Sequence, residues 1–274
     1  MGRGLILLAV TAHPDDEARI IGGTLPKYAA QGVSTSVLCA TRGERGSRGD
    51  PPLCSPEELP ALRERELREA CSILGVQILR LLDYQDGELS KADPEKIVGE
   101  ILQAFEDWQP QVVITFGPEG RTGHPDHIAI HRFATEAFQR AEGPAAPAKL
   151  YYTAFPQSIG EVISPRFPGV PDDRISLPLD VSPWLELKRR AIAAHRTQAR
   201  PPFAHLPDAR RWEILSREYY ILAESRLPVR PGPERDLFDG LPAVSLHRRE
   251  RGERPNPPNP PFPKGGEGGF HPTD

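Results

Sequence analysis

Residues 5–11 (LILLAVT) form an apolar run without alternation. A strand buried on both faces of a parallel sheet reads this way. Comparable runs follow at residues 33–40 (VSTSVLCA), 76–82 (VQILRLL), 111–116 (QVVITF), 149–155 (KLYYTAF) and 218–222 (EYYIL). The segments between them carry helical spacing. The first helix is predicted from residue 15 to about 31, closed by Gly32 and kinked at Pro26, whose ring and missing N–H disturb a helix interior. The second opens on the capping box Ser55-Pro56-Glu57-Glu58 and stops at Gly75. Two more are predicted over 94–108 and from 127 to about 141. Residues 157–181 are punctuated by proline, with one short strand predicted at 173–177. A helix from 182 through about 198 and a shorter one from 208 to about 216 precede the last strand. Strands alternating with helices predict an α/β fold. The expectation is a Rossmann-like, doubly wound, mostly parallel sheet with helices on both faces and an irregular C-terminal part.

From about Arg226 the periodicity fades, and the chain ends in RPNPPNPPFPKGGEGGFHPTD. Such a composition cannot bury a core. The predicted division is a domain over 1–225 and a disordered Pro/Gly-rich tail over 226–274. No internal repeat spans the remainder.

Composition narrows the function classes. The 274 residues are 38% hydrophobic and carry a formal net charge of −4. That supports a sizeable core and gives no basic field for nucleic acid. The three cysteines, Cys39, Cys54 and Cys71, form no CxxC, which argues against a disulfide framework and a cysteine zinc knuckle. The predicted compartment is the reducing cytoplasm. The N-terminal stretch MGRGLILLAVTA has the outline of a weak leader. Cleavage after Ala12 would remove the first strand, so the stretch is read as a strand. No run reaches ~18 continuous apolar residues, so no transmembrane helix is expected.

The candidate chemistry lies in two echoing stretches, AHPDDEA at 12–18 and GHPDHIA at 123–129. Each follows a predicted strand, the first and the fourth. In a doubly wound sheet, ligands bind beyond the carboxyl ends of the strands where the order reverses. His13 and Asp16 are three apart, as are His124 and His127, so each pair shares one helix face. Imidazole with carboxylate suits Zn²⁺ or another first-row divalent ion. Asp15 and Asp16 point in different directions, so one can bind metal while the other stays free as a general base. Aspartates at helix starts also serve as ordinary caps. Two such stretches at two strand ends of one sheet make capping a poor account of both.

On these motifs the sequence resembles the LmbE-like, or PIG-L, family of zinc-dependent de-N-acetylases. TRGERG at 41–46, LRERELREACSILGV at 62–76 and AIAAHRTQ at 191–198 add weaker support, and the likeness covers about residues 5–222. The resemblance implies His13, Asp16 and His127 as zinc ligands, with Fe²⁺ as an alternative ion, and Asp15 as general base. It implies His124 at the oxyanion or as general acid, with Asp126 holding its imidazole. Arg63 would contact substrate; its alternative is a solvated charge paired with Glu66. The implied reaction removes an N-acetyl group from an N-acetylglucosamine-type conjugate, a small-molecule partner, and the resemblance allows a homo-oligomer. Other amidases, such as thiol-conjugate amidases, and non-catalytic metal-binding proteins are the competing readings. Family members of the thiol pathways often carry tyrosine two residues before His124, where this chain has Thr122. His131 and His195 are read as structural or supporting groups, Glu44 as surface charge, Asp86-Gly87 as a turn, and the three tryptophans as packing residues.

Overall fold

The computed structural model describes residues 4–164, 167, 169–228 and 234–241. The elements are β1 (Ile6–Thr11), α1 (Asp16–Ile21), α2 (Thr24–Ala30), β2 (Ser34–Thr41), α3 (Leu59–Leu74), β3 (Ile78–Tyr84), α4 (Pro94–Trp108), β4 (Val112–Phe116), the single turn α5 (Gly120–Gly123) and α6 (Pro125–Arg140). After them come β5 (Lys149–Ala154), α7 (Gln157–Ile163), β6 (Leu177–Asp180), α8 (Leu185–Ala194), α9 (Asp208–Leu215) and β7 (Arg217–Ser225). They build one seven-stranded sheet in the order β3-β2-β1-β4-β5-β7-β6. The first five strands run parallel, and β7 and β6 pair antiparallel at one side. Helices α1, α3 and α8 pack on one another, as do α4 and α6, and the two groups flank the sheet.

The apolar runs are central because they are buried on both faces. Leu7, Leu8, Ala9 and Val10 of β1 are fully buried between β2 and β4. From β1 the chain winds outward to β2 and β3, then returns to β1's other edge as β4. The order reverses there, so the loops leaving β1 and β4 flank one crevice.

Three elements differ from expectation for tertiary reasons. The first helix is two helices, broken at Gly22–Gly23 rather than at Pro26. Glu218 of β7 accepts from Gly23 N (2.9 Å), Thr24 N (2.9 Å) and Thr24 Oγ1 (2.5 Å), starting α2 anew. A Cβ at Gly23 would collide with Val181. Pro26 then falls in the first turn of α2, where a missing N–H costs little. The Ser55/Glu58 capping box forms both of its reciprocal hydrogen bonds, but it closes a turn, and α3 begins at Leu59. The strand expected at 173–177 lies at Leu177–Asp180, with a 3₁₀ turn at Asp172–Arg174 and the helix α7 before it. Pro178 obscured β6 in sequence, yet an edge strand tolerates proline.

Residues 234–241, beyond the expected division at 225, pack on the domain. Leu237 is buried and its N–H donates to Tyr28 Oη (3.0 Å), while Glu234 accepts from Lys149 Nζ (2.6 Å). Residues 242–274 of the expected tail lie outside the described residues. Among the described residues no helix is long and apolar enough to cross a membrane.

Lys188 pairs with Glu218 at 2.5 Å, and both are buried. Removing one member of a buried pair strands the other charge, at a cost of about 3–5 kcal/mol. Lys188→Ala is expected to lower the urea-unfolding free energy by that order. A loss below about 1 kcal/mol would show that the pair does not hold α8 to β7.

Candidate metal centre

Asp16 organises the turn after β1. Its Oδ2 accepts from Ala12 N (3.1 Å) and His13 N (2.8 Å), which fixes a carboxylate at the strand's carboxyl end. His13 opens that turn, and His127 reaches it from the first turn of α6. His127 Nε2 lies 3.3 Å from His13 Nδ1 and 3.4 Å from Asp16 Oδ1, and His13 Nδ1 lies 3.8 Å from Asp16 Oδ2. Ligand atoms at ~2.0–2.1 Å from a tetrahedral zinc sit ~3.3 Å apart. These donors are therefore spaced for one small cation, with Asp16 straddling the two rings through different oxygens. His124 stands over the pair, its ring centroid 4.8 Å from that of His13 and 4.9 Å from that of His127. One nitrogen each from His13, His124 and His127 falls within 4.8 Å of the others.

Outer partners set each ring's tautomer. His13 Nε2–H donates to Asp126 Oδ2 (3.1 Å) and lies 3.2 Å from Asp86 Oδ1, leaving the Nδ1 lone pair facing Asp16 and His127. His127 Nδ1–H donates to the Gly120 carbonyl (3.1 Å), so its Nε2 lone pair faces the same point. His127 also stacks on Phe116 at 4.0 Å. His124 Nδ1 accepts from Asp126 N–H (3.2 Å), which places the proton on His124 Nε2.

The Asp126 carboxylate therefore does not hold His124, as the resemblance implied; it holds His13. Gly87 N (2.6 Å) and Leu89 N (3.2 Å) donate to it from the loop after β3 and keep it there. His13, Asp86 and Asp126 also lie close enough together to suggest an ion site. Two oxygens facing Nε2–H account for that proximity without one. Asp86, read from sequence as a turn residue, is a missed member of the site. Arg45 N donates to it (3.1 Å), and its own N–H donates to Glu44 Oε1 (2.8 Å).

The electrostatics favour a cation. Burial opposes charge on His13, but its hydrogen bonds to Asp126 and Asp86 and the nearby Asp16 push its pKa up to about 10. Burial also disfavours charge on Asp16, yet His127 and His13 hold it below the usual carboxylate range. Three carboxylates thus share one buried imidazole. A divalent ion is the natural complement to that donor set.

Asp15 is not free, contrary to what adjacency suggested. Its Oδ1 meets Arg63 Nη2 (3.3 Å), and its Oδ2 has a charge contact with Arg19 Nε (2.7 Å). Burial first, and then the neighbouring Asp16, raise its pKa against the pull of Arg63 and Arg19. Its backbone sits at φ 113°, a strained value outside glycine. Glu17 Oε2 accepts from Asp15 N (3.0 Å), and the buried His195 lies 2.6 Å from Glu17 Oε1. His195 therefore supports the motif from behind.

Arg63 is neither solvated nor paired with Glu66. It is buried, donating to the carbonyls of Gly43 (2.7 Å) and Pro14 as well as touching Asp15. Glu66 instead accepts from Thr197 N (2.9 Å) and Thr197 Oγ1 (2.5 Å). The glycines of TRGERG have a matching cause, because a Cβ at Gly43 or Gly46 would run into the Arg63 guanidinium. His131 points away from the cluster to the Phe116 carbonyl (2.8 Å).

Fold and site together define a doubly wound α/β protein with a candidate metal centre at its switch point. A profile of the PIG-L family, described as GlcNAc-PI de-N-acetylase, matches residues 8–138, which hold both His-Pro-Asp motifs. A 1D-myo-inositol 2-acetamido-2-deoxy-alpha-D-glucopyranoside deacetylase of Salinispora arenicola is 33% identical over 299 residues, covering 89% of this chain and 94% of that protein. Among solved structures, a conserved protein of Thermus thermophilus superposes with a TM-score of 0.61 at 29% identity, over 84% of this chain and 100% of its own. A 4-carboxy-2-hydroxymuconate hydratase of Pseudomonas putida shares the fold, with a TM-score of 0.60 at 19% identity, over 83% of this chain and 100% of its own. The chain belongs to the PIG-L, or LmbE-like, family of de-N-acetylases.

If Asp126 sets the His13 tautomer, Asp126→Asn should weaken zinc retention roughly 10–100-fold in a chelator competition. Unchanged retention would leave Asp126 as a loop anchor alone.

Proposed function

We propose that this chain removes the N-acetyl group from an N-acetylglucosamine-type sugar conjugate and releases acetate. The observation that carries this reading is the meeting of HPDDE and HPDH in one buried cluster, in a chain 33% identical over most of its length to a deacetylase named for an inositol-linked acetamido sugar. His13, Asp16 and His127 would hold a divalent cation, zinc in our reading and ferrous iron as the alternative. When bound, such an ion polarises the amide carbonyl and acidifies water.

The remaining steps belong to the chain's own groups. Asp15 accepts the proton that water loses as its oxygen attacks the amide carbon. The raised pKa of Asp15 suits that role. His124 offers Nε2–H to the oxygen on which negative charge develops. The proton taken by Asp15 passes to the leaving nitrogen as the C–N bond breaks, giving amine and acetate. Arg63 and Arg19 steer the Asp15 carboxylate, so Arg63 acts as a positioning residue in this scheme. Asp86 and Asp126 act through His13.

Asp15→Ala is expected to retain its metal and lose roughly 10²–10⁴-fold in turnover. His13→Ala should lose the metal itself. Metal content, set beside amine release from N-acetylglucosaminyl conjugates, separates the two outcomes. Full turnover in Asp15→Ala would remove Asp15 as the base. Metal binding with no amine release from any acetylated amino sugar would favour a non-catalytic binding protein.

A further inference from the structure

Beside the cluster, between α1, α8 and the adjoining ends of β5 and β7, lies a small recess. Ile20, Ala154 and Phe155 give it apolar walls, and Arg121, Thr153, Lys188, Arg217, Glu218 and Tyr219 bring polar groups to it, with the Glu218 carboxylate tied to Lys188 and to the start of α2. Lys188 is already engaged with Glu218 (2.5 Å) and the Leu215 carbonyl (3.3 Å). Arg121 and Thr153 are not. No described residue gives the Arg121 guanidinium a hydrogen bond or an ion pair; it lies 4.4 Å over the Phe155 ring. Burial lowers its pKa to about 10. Thr153 is buried, and its hydroxyl has no partner among the described residues.

Arg121 carries a second burden. Its backbone sits at φ 62°, ψ −45°, which L side chains avoid and glycine adopts readily. The position thus combines a strained backbone with a partly buried guanidinium that no described residue hydrogen-bonds. Both are explained if the side chain serves a ligand. Two unengaged donors against apolar walls complement a short carboxylate with an apolar tail.

We propose that this recess is a carboxylate subsite, and that the acetate freed by deacetylation lodges there. Its oxygens take Arg121 and the Thr153 hydroxyl, and its methyl group rests on Ile20, Ala154 and Phe155. The site adjoins the centre: Arg121 lies three residues before His124, and its guanidinium feels the charge of Glu218 and then of Asp16. The choice of acetate rests on the deacetylase reading; the choice of a carboxylate does not.

The test titrates ¹³C-acetate into the full-length chain by NMR, with bound zinc and after chelation. Wild type is expected to keep an acetate site once the metal is gone. Arg121→Gly, which relieves the strained φ, and the near-isosteric Thr153→Val should each weaken that site, Arg121→Gly by roughly 10-fold or more. The inhibition constant of acetate in the deacetylase assay should rise in parallel. Metal-free wild type that binds no acetate, or an Arg121→Gly chain that binds it as wild type does, overturns the proposal. So does inorganic phosphate binding as well as acetate. If acetate binding behaves as expected while no acetylated sugar is turned over, the deacetylase reading fails and the carboxylate subsite stands.

Discussion

The site depends on the hold of the Asp16 carboxylate on the end of β1. One oxygen takes the last two backbone N–H groups before the turn, Ala12 and His13, and the same carboxylate reaches both His13 and His127. A buried carboxylate needs such partners, because its desolvation is otherwise severe. Here the backbone and two imidazoles supply them. The result is a charged group that cannot swing, at the one edge of the sheet where two loops from opposite sides converge.

The rest of the centre is a set of outer contacts that decide which nitrogen faces inward. Three histidines in a cluster could present six nitrogens in many combinations. Asp126 and Asp86 take one from His13, the Gly120 carbonyl takes one from His127, and the Asp126 N–H takes one from His124. Two lone pairs and one N–H are left facing the crevice. The echo of His-Pro-Asp therefore conceals unlike jobs. Asp15 turns back to two arginines, while Asp126 reaches across to the first motif's histidine.

Strain gathers in the same region. Asp15 and Arg121 both hold positive φ, and both flank the cluster. For Asp15 the supports are visible: Arg63, Arg19, and the Glu17 contact that His195 backs. Arg63 passes through a gap that only glycines at 43 and 46 leave open. The loop motif and the helix motif are thus one structural unit, with the arginine as its bolt.

Much of this was legible in the sequence. Unbroken apolar runs identify buried parallel strands because a strand covered on both faces has no polar side, and α4 lies at the predicted residues 94–108 for the same kind of local reason, a capped start and a clean helical period. His13 does meet Asp16 and His124 does meet His127, but across the turns that lead into α1 and α6 rather than on one helix face as the spacing suggested. What the sequence by itself determined is therefore the α/β alternation and the two motifs at the ends of β1 and β4. Tertiary structure alone decided the break at Gly22–Gly23, imposed by Glu218 from a strand almost two hundred residues away. It alone decided the burial of Arg63, the recruitment of Asp86, and the transfer of Asp126 from His124 to His13. Each of those depends on which backbone N–H or carbonyl happens to face a side chain across the crevice, and no spacing along the chain carries that information.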